Sequence, residues 1–210
     1  TSCKTPKKPT KKNISDIHLT KGLEIEIGPA KMKKRPEKKL MEICEAENYN
    51  LSLKDFEKNK ILMGEGGFGE VYLVRCKLND VKYALKVLNK EKVIEAGCER
   101  HLMREKEIST LLDHPNIVRL EAYFQDSKNC YFLFELCQVG DLNTFLKDYK
   151  KLNVKLTRQW IMEIINGLEH LRSHNIVNRD LKPKNILLDD TFHVKIADMG
   201  AAKEIDPIEV

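Results

Sequence analysis

A run of glycines between two β-strand patterns constrains this chain more than any other feature. Residues 64–71 read Gly-Glu-Gly-Gly-Phe-Gly-Glu-Val, which fits the pattern G-x-G-x-x-G-x-V. Strand-forming residues precede the run at 56–62 and follow it at 70–75, so a glycine-rich turn between two strands is predicted. Without side chains there, backbone N–H groups can approach phosphate oxygens. Glycine turns also join strands for steric reasons, so this pattern alone does not identify a function.

Further polar motifs follow in order along the chain. Lys86 lies in a third strand pattern at 82–88, where an apolar neighbourhood leaves its charge in need of an anionic partner. Glu105, on a helix predicted over 99–112, is a natural partner. The segment Asn-Arg-Asp-Leu-Lys-Pro-Lys-Asn occupies 178–185, and Asp-Met-Gly occupies 198–200. With the glycine run, these motifs match the protein-kinase signature set in type, order and predicted element.

From about residue 53 to its last residue the chain resembles the eukaryotic protein kinases. Residues 55–74 and 83–108 are most similar to the AGC group, which includes the cyclic-nucleotide-dependent and phosphoinositide-dependent kinases, and Lys182 fits the serine/threonine pattern. The resemblance implies an α+β, bilobal fold. A complete N-lobe, with a five-stranded antiparallel sheet and one main helix, is expected over 53–136. A partial, mostly helical C-lobe is expected over 137–210, with a nucleotide cleft between the lobes.

The resemblance also implies catalytic and metal-binding roles, with ATP and Mg²⁺ as the implied cofactors. Asp180 is expected to orient a substrate hydroxyl and accept its proton, while Lys182 offsets charge on the γ-phosphoryl group. Asp198 and Asn185 are expected to bind Mg²⁺. The implied reaction is transfer of the γ-phosphoryl group of Mg-ATP to a hydroxyl of a protein substrate. The alternative to these roles is that Asp180 and Asp198 only cap their loops.

The remaining implied residues surround ATP. Lys86, positioned by Glu105, is expected to hold the α- and β-phosphates, although an ordinary strand-to-helix ion pair remains an alternative. Asp141 matches a ribose-contacting position, but aspartate is also a preferred helix N-cap. The other expected contacts belong to the glycine run, the adenine pocket and the strand leaving the N-lobe: Met63, Gly64, Glu65, Gly66, Gly67, Phe68, Gly69, Val71, Ala84, Glu135, Cys137 and Leu187.

Several positions depart from the family pattern. Asn178, Met199 and Ser109 occupy positions of an otherwise apolar stack, where unsatisfied polar groups cost about 1–3 kcal/mol each. Lys184 replaces a glutamate that attracts basic substrates in the family, which argues against an arginine-rich substrate. Asp141 argues for one, so the substrate preference stays open. The sequence stops ten residues after Gly200, inside what the family would make an activation segment. A fragment of a longer kinase is therefore expected, and a non-catalytic ATP-binding module or scaffold is the alternative.

The first fifty residues carry the net charge of the chain. They hold 12 basic and 7 acidic side chains, against 25 of each in the remainder, which makes up the formal charge of +5. Residues 1–52 are therefore expected to form a basic, largely disordered extension or linker, with anionic lipid or an acidic partner as possible ligands and no strong nucleic-acid signal. The six scattered cysteines favour reduced thiols and a cytoplasmic location.

Overall fold

Five antiparallel strands form the first half of the fold, which a computed structural model describes for residues 31–32, 34–57, 60–66, 68–149 and 152–206. The strand order is β1-β2-β3-β5-β4, which confirms the predicted N-lobe sheet. Lys86 of β3 pairs with Val71 of β2 on one side and with Phe132 of β5 on the other, so it lies in the centre of the sheet. The strands are β1 (Ile61–Glu65), β2 (Gly69–Arg75), β3 (Lys82–Asn89), β4 (Leu120–Gln125) and β5 (Asn129–Glu135).

The first strand begins later than its composition predicts. Phe56 follows a 3₁₀ turn at Leu53–Asp55 and forms only an isolated bridge to Cys76, so the strand predicted from residue 56 starts at Ile61. The Phe56 side chain is nevertheless 2% exposed and stacks on Phe124. Phe56 is therefore apolar because it is buried in the core, and not because it belongs to β1.

The main helix of the N-lobe is α3 (Glu99–Leu111), which follows the short α2 (Lys90–Glu95), an element the sequence patterns missed. Its buried positions include Glu105 and Ile108. The apolar residues of 99–112 predict an inward face made of Leu102, Met103, Leu111 and Leu112, but Met103 and Leu111 are 48% and 58% exposed. The prediction of those two inward positions was wrong. Because Glu105 must face Lys86, the helix is rotated so that the 105/108 face, and not the 103/111 face, meets the sheet.

The C-lobe portion is built around one long helix and several two- or three-residue strands. Trp160 and Leu171 of this helix pack with Leu188 and Ile196 in one apolar core. The apolar spacing of residues 157–172 predicts a helix with Trp160 and Ile161 on its inward face, and for Ile161 this prediction was wrong, since it is 53% exposed. The elements are β6 (Gly140–Asp141), α4 (Leu142–Asp148), α5 (Val154–Ser173), β7 (Ile176–Val177), a 3₁₀ turn (Pro183–Asn185), β8 (Ile186–Leu188), β9 (Val194–Ile196) and β10 (Lys203–Glu204).

Part of the predicted N-terminal linker is ordered against the sheet. Helix α1 (Leu40–Ala46) buries Leu40 and Cys44, and Lys39 just before it is also buried. The expectation of a disordered segment up to residue 52 therefore differs from the structure over 34–52. Burial of Leu40 and Cys44 stabilises this segment, and the prediction of disorder, which rested on its charge, did not take that apolar area into account. Residues 1–30 lie outside the described part of the chain. Within that part, no helix combines the length and the apolarity that a membrane span requires.

Candidate active site

A cleft of about 660 Å³ lies between the glycine turn, helix α3 and residues 198–201. This volume falls within the range of small-molecule sites. Several residues predicted from the sequence meet there, and Cys98, His101, Arg179 and Ala201 are lining residues that the sequence patterns missed. The predicted residues that line the cleft are Gly66, Phe68, Gly69, Val71, Lys86, Glu105 and Asp198.

The glycine turn brings backbone close to backbone. Gly66 N–H donates to Gly69 O at 2.7 Å, and Asn89 N–H donates to Phe68 O at 3.2 Å. A Cβ atom on Gly69 would lie 1.7 Å from Val87 O, whereas one on Gly64 would meet nothing within 4 Å. The close approach of β2 to β3 therefore requires glycine at position 69, whereas position 64 has room for a side chain. Gly67 lies outside the described residues.

Replacing Gly69 with alanine is expected to destabilise the fold by about 1–3 kcal/mol, because the clash with Val87 O requires the backbones of β2 and β3 to separate. Gly64→Ala is the matched control and should change the free energy of unfolding by no more than about 0.5 kcal/mol. Urea denaturation of both variants provides the measurement. Equal stability of the two variants would show that the sheet accommodates the Cβ atom without strain.

Lys86 and Glu105 form the ion pair that the sequence predicts. Lys86 Nζ lies 2.5 Å from Glu105 Oε1, and the side chains are 24% and 7% exposed. The Lys86 ammonium also lies 5.9 Å from the centre of the Phe132 ring. The pair therefore holds a cation at the wall of the cleft, with part of the lysine still accessible to a ligand.

Asp198 is carried into the same cleft by a left-handed backbone conformation, with φ +61°. Gly200 N–H donates to Asp198 Oδ1 at 3.1 Å, and a Cβ on Gly200 would come within 3.5 Å of Glu105 Oε2. The Asp198 loop therefore lies against the Lys86–Glu105 pair. An exposed carboxylate beside this cation has the oxygen donors that Mg²⁺ prefers.

Asp180 is the centre of a second polar cluster. Lys182 Nζ donates to Asp180 Oδ2 at 2.6 Å, and the Asn185 side chain donates to the same oxygen at 2.9 Å. The hydrogen bond from Lys182, with a second from Asn185, holds the pKa of Asp180 below its usual value. Since the Asn185 amide nitrogen is engaged with Asp180, its amide oxygen is the atom that can serve a metal ion. The backbone carbonyl of Asn185 also accepts a hydrogen bond from Ala197 N–H at 2.8 Å, which connects this cluster to the segment before Asp198.

The stack position Asn178 is buried and hydrogen-bonded. Its Oδ1 accepts from Asp180 N–H at 3.0 Å, and its Nδ2 donates to Asp198 O at 3.4 Å. Asn178 therefore does not carry the free-energy cost of an unsatisfied polar group in an apolar stack. Asn178 instead links the Asp180 loop to the Asp198 loop.

The predicted adenine and ribose contacts Ala84, Leu187 and Asp141 lie on two separate sheets and do not line the cleft described above. Ala84 of β3 pairs with Phe134 of β5 in the five-stranded sheet, and Leu187 of β8 pairs with Asp141 of β6 in the three-stranded sheet. Asp141 caps α4 by accepting from Thr144 N–H at 2.9 Å, as the capping alternative states. A ribose contact for Asp141 remains a prediction, as do contacts with ATP for the exposed residues Met63 and Glu65.

The strand leaving the N-lobe ends near a partly buried glutamate and a buried cysteine. The Glu135 side chain is 18% exposed, and the backbone N–H of Glu135 donates to Arg119 O at 3.0 Å. Burial raises the pKa of the Cys137 thiol to about 12, so this thiol stays protonated at neutral pH. Both residues are thus fixed in place by the protein interior at the position where the sequence predicts the adenine edge.

Comparison with known proteins agrees with this geometry. The protein kinase domain family matches residues 56–209. The chain is 40% identical over 159 residues to a cAMP-dependent protein kinase catalytic subunit of Dictyostelium discoideum, covering 76% of this chain and 24% of the relative. It is 39% identical over 151 residues to an Aurora kinase of Saccharomyces cerevisiae, covering 72% and 41%. It is 37% identical over 153 residues to a human 3-phosphoinositide-dependent protein kinase 1, covering 73% and 27%.

The chain thus spans between about a quarter and two-fifths of the length of these three relatives. Their matches agree with the serine/threonine, AGC-like pattern read from the motifs. The family match covers more than half of the chain and includes both polar clusters described above. The chain belongs to the protein kinase family.

Proposed function

We propose that this chain carries the nucleotide-binding and catalytic part of an ATP-dependent serine/threonine protein kinase. The observation that supports this most is the convergence of Lys86, Glu105 and Asp198 on one cleft. A cation for phosphate oxygens and a carboxylate for a metal ion are what Mg-ATP requires. The Lys86–Glu105 pair would hold the α- and β-phosphates, and the glycine turn would cover them. Asp198 and the Asn185 amide oxygen would hold Mg²⁺, which neutralises phosphate charge when bound.

In the proposed reaction the oxygen of a serine or threonine hydroxyl bonds to the γ-phosphorus, and the bond to the β–γ bridging oxygen breaks. Asp180 orients the hydroxyl and takes its proton, and ADP leaves with the bridging oxygen. Lys182 lies close enough to Asp180 to offset charge on the transferring group. The protein itself contributes positioning and fixed charges, which account for most of the catalysis of phosphoryl transfer.

The test is transfer of labelled γ-phosphate by the protein that carries this chain, with Mg²⁺ present or chelated and with serine, threonine and tyrosine peptides of varied charge. Magnesium-dependent labelling of serine or threonine is expected. ATP binding without any transfer would instead support the non-catalytic, nucleotide-binding alternative. Absence of both binding and transfer would refute the proposed function. The interaction of the basic N-terminal extension, residues 1–52, with an anionic lipid or acidic partner remains a separate prediction.

A further inference from the structure

Residues 34–46, here called the N-terminal strap, contact the loop before β4 and β4 itself and end in α1. Leu40 and Cys44 join the apolar core of the sheet. The backbone N–H of Leu40 donates to the buried carboxylate of Glu121 at 3.2 Å. The strap is therefore anchored by both apolar burial and a hydrogen bond to β4.

Arg35 inserts into the loop between α3 and β4, residues 112–119. Its guanidinium donates to His114 O and Ile117 O, each at 2.6 Å, and also to the Glu135 carboxylate. The arginine side chain is only 18% exposed, and Asp113 lies 3.3 Å from Nη1. One residue outside the matched kinase domain thus satisfies acceptors on the loop and on the end of β5.

Two other cations, one on each side, also join the strap to the rest of the fold. Arg119, whose side chain is 1% exposed, donates back to Pro36 O at 2.7 Å. Lys39 Nζ donates to Thr110 O at 2.6 Å, near the C-terminal end of α3. The last turn of α3 holds no basic residue of its own, so Lys39 supplies the positive charge that a helix C-terminus favours. The strap therefore contacts the helix that carries Glu105.

Glu135, which the sequence predicts at the adenine edge, joins these contacts to the residues before Asp198. Its Oε1 accepts from Arg119 N–H at 2.8 Å, and its Oε2 lies 3.1 Å from Lys195 Nζ. Lys195 in turn donates to Pro115 O at 3.0 Å and lies on β9, three residues before Asp198. A single, partly buried carboxylate thus connects the strap, the α3–β4 loop, the end of β5 and the strand that leads to Asp198.

We propose that Arg35 is a positioning residue of the nucleotide cleft and that the strap is an integral part of the site. Removing the guanidinium takes the Arg35 donor away from Glu135, His114 O and Ile117 O. Glu135 keeps Arg119 N–H and Lys195, and His114 O keeps Ile117 N–H, so we expect these acceptors to shift toward their remaining donors. A shift of Glu135 moves the backbone at the expected adenine edge, and a shift of Lys195 moves the segment before Asp198. This inference rests on the proposed function, because ATP is the ligand that reports the displacement.

The test compares Arg35→Gln with Lys38→Gln, a matched control that removes a positive charge from an exposed position of the same strap. Mg-ATP binding is measured by calorimetry well below the unfolding temperature. Arg35→Gln is expected to weaken the affinity by about 2- to 30-fold, the range of couplings carried through connected side chains. Lys38→Gln should leave the affinity unchanged. Equal affinity of the two variants would overturn the inference.

A double-mutant cycle with Glu135→Gln separates positioning from general destabilisation. The effects of Arg35→Gln and Glu135→Gln on affinity should be non-additive, because both break the same contact. Additive effects would overturn the inference.

Hydrogen exchange without nucleotide gives an independent result. Exchange should rise in Arg35→Gln over 112–119 and 195–201 but not over β1 and β2, and a uniform rise would indicate a purely structural arginine. If the wild-type protein binds no ATP, the proposed function fails, and the exchange pattern alone then decides the role of Arg35.

Discussion

Replacing Asp180 with asparagine is expected to lower the rate of phosphoryl transfer by about 10²- to 10⁴-fold, the usual contribution of a positioned proton acceptor. The amide keeps the size of the carboxylate and can still accept a hydrogen bond from Lys182 or Asn185. It cannot take the hydroxyl proton. Mg-ATP affinity should change little, because Asp180 belongs to the cluster next to the cleft and not to the Lys86–Glu105 pair.

Asp148→Asn is the matched control, since Asp148 is an exposed aspartate near the end of α4. Single-turnover transfer and calorimetric ATP binding are measured for both variants. A normal transfer rate in Asp180→Asn would show that this carboxylate only anchors Lys182 and Asn185, as the loop-capping alternative holds. Loss of ATP affinity together with rate would indicate that the loop had lost its structure.

The pKa shift gives the same prediction a pH dependence. Hydrogen bonds from Lys182 and Asn185 favour the ionised form of Asp180 and lower its pKa. A lowered pKa keeps the proton-accepting form through neutral and mildly acidic pH, and it is lost only as the pH falls through that lowered value. Protonation of Asp180 should therefore cause no loss of transfer rate between pH 7 and pH 5. A wild-type rate that falls tenfold over this interval, but stays flat in Asp180→Asn, would contradict the assignment.

The local motifs were predictable because their chemistry is contained within short segments. Lys86 is a charge among apolar strand residues and needs an anionic partner, and Glu105 on the following predicted helix could be proposed as that partner without coordinates. Asp180 and Asn185 lie five residues apart and bond directly. The wrong predictions for Met103 and Ile161 have a common origin. Apolar periodicity identifies a helix but does not decide which side of a mixed face meets the core.

The contacts of the strap were not predictable from the sequence for a different reason. Arg35 and Glu135 are separated by 100 residues, and nothing in the local pattern around either residue points to the other. In composition, Lys31–Lys39 looks like any solvated basic run. Only the fold shows that Arg35 and Lys39 lie against backbone carbonyls and that Arg35 also meets the partly buried Glu135 carboxylate. Charge counting thus predicts solvation correctly only where no buried acceptor lies within reach.

A second large effect is expected at the Lys86–Glu105 pair. Lys86→Met should lower phosphoryl transfer by about 10²- to 10³-fold, the cost of losing one donor to developing charge. It should also destabilise the fold by about 1–3 kcal/mol, because Glu105 remains as a charge that is 7% exposed and unpaired. The partial exposure of Lys86, at 24%, keeps this cost below that of a fully buried pair.

The double variant Lys86→Met/Glu105→Leu distinguishes a catalytic pair from an ordinary ion pair. Exchanging both charges for apolar side chains is often neutral or stabilising in a protein interior, so the free energy of unfolding should return to the wild-type value or exceed it. Transfer should stay as low as in Lys86→Met, because no cation faces the phosphates. If transfer recovered together with stability, the pair would only hold α3 against β3. The second substitution is therefore expected to restore stability without restoring transfer, which a purely structural ion pair cannot produce.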